Sequence, residues 1–460
     1  MKRLGLPLFV CCLLLTVSTY AHTERNRTGN ATGWKAGVAR VVITPKEPMW
    51  MAGFAVRTHP AEGTLHDLWA KALALEDAQG KQVVLITTDL LGFPKGVSDH
   101  VRDRLKTTFG LEKAQLILNS SHTHSGPVLQ DALSDIYPLD ADQQAKITRY
   151  STALENQLVA LVGDALRNKE PVTLYTQNGV TRFQVNRRNN NAAVLPRLLE
   201  LQGPNDYAVP VIKVLNAKGD LKAVAFGYSC HPTVLDLYQW SGDYAGFAQL
   251  EVEKAYPGVT ALFFQSAGAD QNALPRHSIP LARQYGRELA SAVERVLDEP
   301  MRSLPARLAT AYTEVDLALA KPPTEADLLA VAKGEVPYQK RWAERMLANL
   351  RRGEPFLKVY PYPVQVWQLG DQSIISLGGE VVVEYAIKLK QIFGPETIVM
   401  GYSNDVMGYI PSATILREGG YEGESAQMVY GLPGVWASPI ETTILAEVVR
   451  LARQAGVPTP

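Results

Sequence analysis

The chain of 460 residues carries 46 basic and 46 acidic side chains, so its formal net charge is zero, and 46% of its residues are hydrophobic. That length suits a few domains or one large α/β domain, with enough apolar content for a sizeable core. The neutral balance gives no reason to expect a nucleic-acid partner.

Residues 1–21 have the layout of a secretory signal peptide: Lys2 and Arg3, an apolar run over 4–17, then Thr19, Tyr20 and Ala21 at the cleavage positions. A secreted or periplasmic location is therefore expected, and no later stretch is long and apolar enough to span a bilayer. Cys11 and Cys12 fall inside the signal, which leaves Cys230 as the one cysteine of the mature chain and no internal disulfide. Residues 22–33 are polar and read as a flexible lead-in. Beyond them there is no repeat, low-complexity tract or clear linker, so 34–460 is expected to form one catalytic domain. Asn26, Asn30 and Asn119 each head a glycosylation-type triplet.

Strands are expected at 38–43, closed by Pro45, at 68–75 and at 82–88, the last ending on Asp89. A helix follows over 97–109, with Ser98 and Asp99 as candidate caps, and then a strand over 114–118. The stripe Ile147, Tyr150, Leu154, Leu158, Leu161 and Leu166 makes 140–169 an amphipathic helix whose apolar face is ordinary core. Strands at 172–175, 179–184, 209–215 and 223–228 lead to Val185-Asn186-Arg187 and to Ser229-Cys230-His231-Pro232. A helix over 243–255, a strand over 260–265 and a helix over 280–297 come next. Strands from 306 and helices across 324–352 extend the mixture. Loops are expected at Glu354-Pro355 and Pro361-Tyr362-Pro363, and 364–369 pairs with 373–377 through Gly370-Asp371. After a strand at 397–400, residues 401–428 are rich in Gly and Tyr without periodicity, and so long an irregular segment in a compact domain is usually functional or disordered. A helix over 439–454 closes the chain. The fold class is α/β, with mixed β-sheets flanked by helices.

Three segments share one layout, in which a strand runs through a small-residue turn to a polar group. The strand at 114–118 empties into Asn119–Pro127, N-S-S-H-T-H-S-G-P, where His122 and His124, two apart in extended chain, point to one side. His231 and Glu380 follow strands in the same way. Imidazole is the commonest neutral metal ligand and acid–base group near neutral pH. Two imidazoles and a carboxylate form a recurrent catalytic zinc set with a position open for water, whose pKa the ion lowers to roughly 7. The pattern by itself also admits hydrogen-bonded strand ends without a metal.

The segments N-S-S-H-T-H-S-G-P, V-N-R, S-C-H-P-T, S-G-D-Y-A-G, G-A-D-Q-N, G-G-E and Y-E-G, in this order and spacing, resemble the catalytic domain of the neutral/alkaline non-lysosomal ceramidases over essentially the whole mature chain. The resemblance implies a neutral-ceramidase-like catalytic domain and a secreted zinc amidase that splits N-acylsphingosine into fatty acid and sphingosine by a zinc-activated water. It implies Zn2+ ligated by His122, His231, Glu380 and Tyr421. His124 and Arg187 would lie beside the metal and stabilise the developing oxyanion, with Glu380 handling the proton. Asp89, Asp243 and Asp270 would orient histidines or backbone. The expected partner is a small-molecule or lipid amide, with peripheral membrane contact allowed by its chemistry. Trp240 and Trp436 are candidates for a lipid groove, and Cys230 reads as a small buried residue. Two departures from the family favour alternatives. Ceramidases carry G-D-x-S-P where this chain has Asn272 and no serine, and they continue into an immunoglobulin-like domain where this chain stops at Pro460. The alternatives are the same zinc chemistry on another amide or ester, or a non-catalytic exported protein whose metal site is closed by four protein ligands.

Overall fold

The central strands are apolar on both faces, because each is covered on both. In Trp69–Glu76, Ala70, Ala72 and Ala74 pack against helices while Leu73 and Leu75 pack against a second sheet, and all five are buried. The structure, a computed structural model, describes residues 33–193 and 195–459. The expected signal peptide and all of the lead-in except Gly33 lie outside the described residues.

Four layers result. The larger sheet has nine strands, in the order Thr260–Gln265, Leu221–Tyr228, Ala208–Asn216, Glu170–Val180, Trp34–Val42, Trp69–Glu76, Gln82–Thr88 and Leu116–Ser120, with Arg302–Ser303 added beside Glu170–Val180. Only its two ends contain parallel pairs, Thr260–Gln265 with Leu221–Tyr228 and Gln82–Thr88 with Leu116–Ser120. Helices Lys95–Phe109 and Ala141–Arg167 cover one half of its outer face, and Asp243–Ala255 and Ile279–Asp298 cover the other. Its inner face meets a four-stranded sheet, Leu308–Ala318, Val359–Leu369, Gln372–Leu377 and Ile398–Met400, through Leu73, Phe264, Trp367 and Met400 among others. Helices Val383–Phe393 and Ile440–Gln454 cover the far side of that second sheet. The expected class, mixed sheets flanked by helices, is the one observed.

Some local expectations differ. The helix after Asp89 starts at Lys95 behind the extended Pro94, so Ser98 lies buried in its first turn and Asp99 pairs with Lys95 and Lys113 instead of capping. Residues 172–180 form one continuous strand, Glu170–Val180, and only the short Gln184–Asn186 follows. Pro361 and Pro363 sit inside Val359–Leu369. That strand pairs with Gln372–Leu377 only from Val364 onward, so the missing proline N–H groups cost no ladder bonds on that side. Among the described residues no helix is long and apolar enough to cross a membrane.

The larger sheet curls until the ends of its two edge strands meet, and Asn119 joins them. Its Nδ2 reaches the Gln265 carbonyl at 3.1 Å and the Gly401 carbonyl at 2.9 Å, and its Oδ1 accepts from the Gln265 amide at 2.8 Å. Asn119 is wholly buried, which makes its glycosylation-type triplet structural. Removing this amide strands several buried backbone groups, each costing about 1–3 kcal/mol. Asn119→Ala is expected to lower unfolding free energy by about 3 kcal/mol or more, read by denaturant titration; a loss within experimental error would show that the strand ends hold together without it.

Candidate functional site

Four strand ends converge on one place. Leu116–Ser120 delivers His122 and His124, Leu221–Tyr228 delivers His231, Thr260–Gln265 delivers the Gly268 carbonyl, and Gln372–Leu377 delivers Glu380. His122 turns into the site from a left-handed backbone, φ 64°, a conformation that costs energy for a non-glycine residue and is held here by its N–H bond to the Leu90 carbonyl. Gly53 lets the neighbouring loop approach, since a Cβ there would lie 2.4 Å from the His124 ring.

Backbone carbonyls fix the two ring tautomers. His122 Nδ1 lies 2.6 Å from the Leu91 carbonyl oxygen, and His231 Nδ1 lies 3.1 Å from that of Gly268. A carbonyl only accepts, so each Nδ1 carries a proton, which in the neutral ring leaves the lone pair on Nε2. Both Nε2 atoms face the same oxygen, Glu380 Oε2, at 3.1 Å and 3.0 Å. His124 Nε2 lies 3.2 Å from His122 Nε2. All of these groups except His124 are almost wholly buried as residues.

Charge decides what such a cluster requires. Burial, followed by the Arg187 charge, pushes the His231 pKa down to about 4 against the pull of Glu380. Burial and the two neighbouring imidazoles hold His124 well below its ordinary value. Burial works to raise the Glu380 pKa, yet His122 and His231 hold it well below the usual carboxylate range. At neutral pH a carboxylate therefore faces the neutral His231 ring in a water-poor interior, an arrangement that suits a cation at its focus. The donor atoms of His122, His124 and His231 lie within 4.8 Å of one another, close enough to hold a metal ion. The donor set fits: imidazole nitrogens and an anionic oxygen, with His122 and His231 each backed by a carbonyl, as metal-ligating histidines usually are.

A model of the family described as neutral/alkaline non-lysosomal ceramidase, N-terminal, matches residues 34–271, just over half of the sequence. The chain belongs to that family. Two solved structures share the fold with a TM-score of 0.72 each, covering 93% of this chain and 76% of theirs: a ceramidase complexed with C2, at 16% identity, and the neutral ceramidase from Pseudomonas aeruginosa, at 18%. Comparison with curated proteins gives no match. Family membership implies a hydrolase acting on an amide bond.

Within this ceramidase-family site, the structure gathers His122, His124, His231 and Glu380 directly. Tyr421 stands in the adjoining layer: its ring packs edge-on to Tyr409 at 5.3 Å, with the Arg187 guanidinium 5.6 Å from its centre. No hydrogen bond joins it to His122, His231 or Glu380 among the described residues; the residue is 44% exposed, but its hydroxyl end is desolvated, and this with the Glu380 charge pushes its pKa up to about 12. Arg187 is held by Glu422 at 2.7 Å and by the Tyr409 hydroxyl at 3.2 Å. The sequence reading missed the phenol on the carboxylate, Tyr430, which donates to Glu380 Oε1 at 2.6 Å. It also missed Tyr409, 3.4 Å from His231 Nε2, Glu422, and Arg57, which holds the His124 carbonyl at 2.9 Å.

The three aspartates hold backbone and amide groups and, among the described residues, hydrogen-bond none of the clustered histidines. Asp89 accepts from the Trp69 amide and Gln249, and Asp243 from the amides of Leu235, four residues past His231, and of its own neighbour Tyr244. Asp270 accepts from Asn186 and the Val383 amide, and its carbonyl takes the Arg187 amide, so it ties the Arg187 and Glu380 segments together. Trp240 and Trp436 are 3% and 1% exposed and pack inside hydrophobic cores; Trp436 donates to the Tyr409 carbonyl at 2.7 Å. Cys230 is buried, and burial raises its thiol pKa, which makes it a poor nucleophile.

Two cavities flank the site. A small slot of about 230 Å³ is lined by Leu91, Leu133, Val406, Met407, Tyr430 and Leu432, with Asp405 and Lys95 at its polar side. A wider groove of about 720 Å³ is lined by Arg187, Arg188, Asn272, Arg276 and Tyr421 among others. An ion at this focus depends on the Glu380 charge. Glu380→Gln, which keeps shape and loses charge, is expected to lose stoichiometric divalent metal after dialysis while staying folded, read by elemental analysis and circular dichroism; metal retained at one ion per chain would remove Glu380 from the set.

Proposed function

We propose that the protein is a secreted, zinc-dependent hydrolase of N-acylated lipid amides, with N-acylsphingosine-type amides as the reference substrate. The observation that supports this is the buried convergence of His122 and His231 Nε2 on Glu380 Oε2 within 3.1 Å, in a chain of the ceramidase family. His122, His231 and Glu380 would hold the zinc, and Tyr421 is the further ligand that the resemblance supplies. Bound there, zinc would polarise the amide carbonyl and lower the pKa of a water to roughly 7, giving a nucleophile at neutral pH.

The chain's own groups supply the rest. Leu91 and Gly268 carbonyls keep the two imidazoles in the ligating tautomer. Tyr430 holds Glu380 Oε1, which leaves that oxygen placed to take the proton of the attacking water and pass it to the leaving amine. His124 is neutral, and its Nδ1 has no partner. With Arg187 on the groove side, it offers N–H groups to the carbonyl oxygen as that oxygen becomes negative. The buried walls exclude water, which strengthens each of these interactions.

A second reading keeps the chemistry and changes the amine half of the substrate. It is favoured by Asn272, which stands where the family's serine is expected and lines a polar groove.

Fatty-acid release from N-acylsphingosine and a panel of other N-acyl amines, by protein stripped of metal and then given zinc, tests the proposal. Release that returns with zinc is expected, and Arg187→Ala is expected to keep zinc but lose turnover by ~10²-fold or more. No zinc-restored cleavage of any amide would sink the reading, and unchanged kinetics in Arg187→Ala would remove that residue from the mechanism.

A further inference from the structure

The groove beside the proposed metal centre carries a cation that closes no ion pair among the described residues. Three arginines line it against two glutamates, Glu418 and Glu422. Arg187 is satisfied by Glu422, and Arg188 by Glu422 at 2.8 Å and Glu418 at 2.9 Å. His277 pairs with Asp236 at 2.9 Å. Arg276 forms no ion pair among the described residues. Its hydrogen bond, to Thr233 Oγ1, is long at 3.4 Å. Burial and the Arg187 charge press its pKa down, and the more distant carboxylates Asp236 and Asp243 pull against them without closing an ion pair.

A second group in the groove is also unsatisfied. Asn272 is 5% exposed, and its Oδ1 has no hydrogen-bond partner. Buried amide oxygens are rarely left so. Both groups lie against the ligand loop, since Asn272 forms a backbone bridge with His231 and Arg276 reaches Thr233, two residues beyond it. The apolar slot, lined by different residues, adjoins the centre through Leu91, whose carbonyl holds His122, and Tyr430, whose hydroxyl holds Glu380. The site therefore has an apolar side and a cationic, hydrogen-bonding side.

We propose that the preferred substrate is an amide whose acyl chain enters the apolar slot and whose amine half bears an anionic group, carboxylate or phosphate, bound by Arg276, with Asn272 Oδ1 accepting from the amide N–H or a hydroxyl next to it. The inference rests on the amide-hydrolase reading above. In the reaction, water's oxygen joins the acyl carbon, the C–N bond breaks, and the amine leaves with a proton. The products are a fatty acid and an anionic amine, for example an amino acid. An upstream N-acylation of such an amine must supply the substrate.

Zinc-loaded full-length protein is assayed on N-acylglycine, N-acylethanolamine phosphate, neutral N-acylethanolamine and N-acylsphingosine of one acyl length. The anionic amides are expected to show the higher kcat/KM, and the better of the two identifies the anion as carboxylate or phosphate. In Arg276→Gln the anionic-to-neutral ratio of kcat/KM is expected to fall by roughly 10- to 100-fold, as for loss of a charge-assisted hydrogen bond, mainly through KM, with partial recovery in Arg276→Lys. Equal or better cleavage of the neutral amides, or an unchanged ratio in Arg276→Gln, overturns the anionic-substrate inference and leaves the amide hydrolase standing. Cleavage of none of the four overturns both.

Discussion

A carboxylate and two imidazole lone pairs cannot share a buried focus unless something positive joins them. That constraint explains most of what surrounds the site. The Leu91 and Gly268 carbonyls commit each histidine to one tautomer. Burial keeps His231 neutral at physiological pH. Tyr430 takes the second oxygen of Glu380, so that carboxylate has no freedom to turn away. Each device narrows the ways in which the cluster can rearrange to satisfy itself. A cluster so constrained is prepared for a cation before one arrives, and preorganisation of this kind is how a fixed polar environment gains its effect on a reaction.

The fold serves the same end. The clustered histidines and Glu380 follow strands from both sheets, and their convergence requires the larger sheet to curl until its edges meet. Asn119 makes that join with hydrogen bonds to Gln265 and Gly401. It stands three residues before His122, so the same short segment closes the sheet and opens the site. Asp270 acts similarly on the other side, linking the segment that carries Arg187 to the one that follows Glu380.

Much of this was legible in the sequence because strands here are buried on both faces and end abruptly in Ser, Gly and Pro. His122, His124, His231 and Glu380 each announce themselves by that layout. The strand over 260–265 and the helix over 243–255 fall where their patterns put them. Tyr409, Glu422 and Tyr430 were not individually legible. They lie in or just past a stretch with no periodicity, where only its length and its Gly and Tyr content pointed to function, and their partners are far away in the chain. The Pro361 and Pro363 strand misled for a physical reason: proline is excluded from paired positions, and here those positions have no partner on one side. Trp436 misled because a tryptophan near ligands suits a groove as well as a core, and only its bond to the Tyr409 carbonyl and its burial decide between them.

The most direct test is the zinc X-ray absorption spectrum of the purified, zinc-loaded protein. One ion per chain, with two or three imidazole nitrogens and oxygen ligands at roughly 2.0–2.2 Å and no sulfur, is the result expected. Failure to bind zinc stoichiometrically, or a shell containing the Cys230 sulfur at about 2.3 Å, would contradict the account.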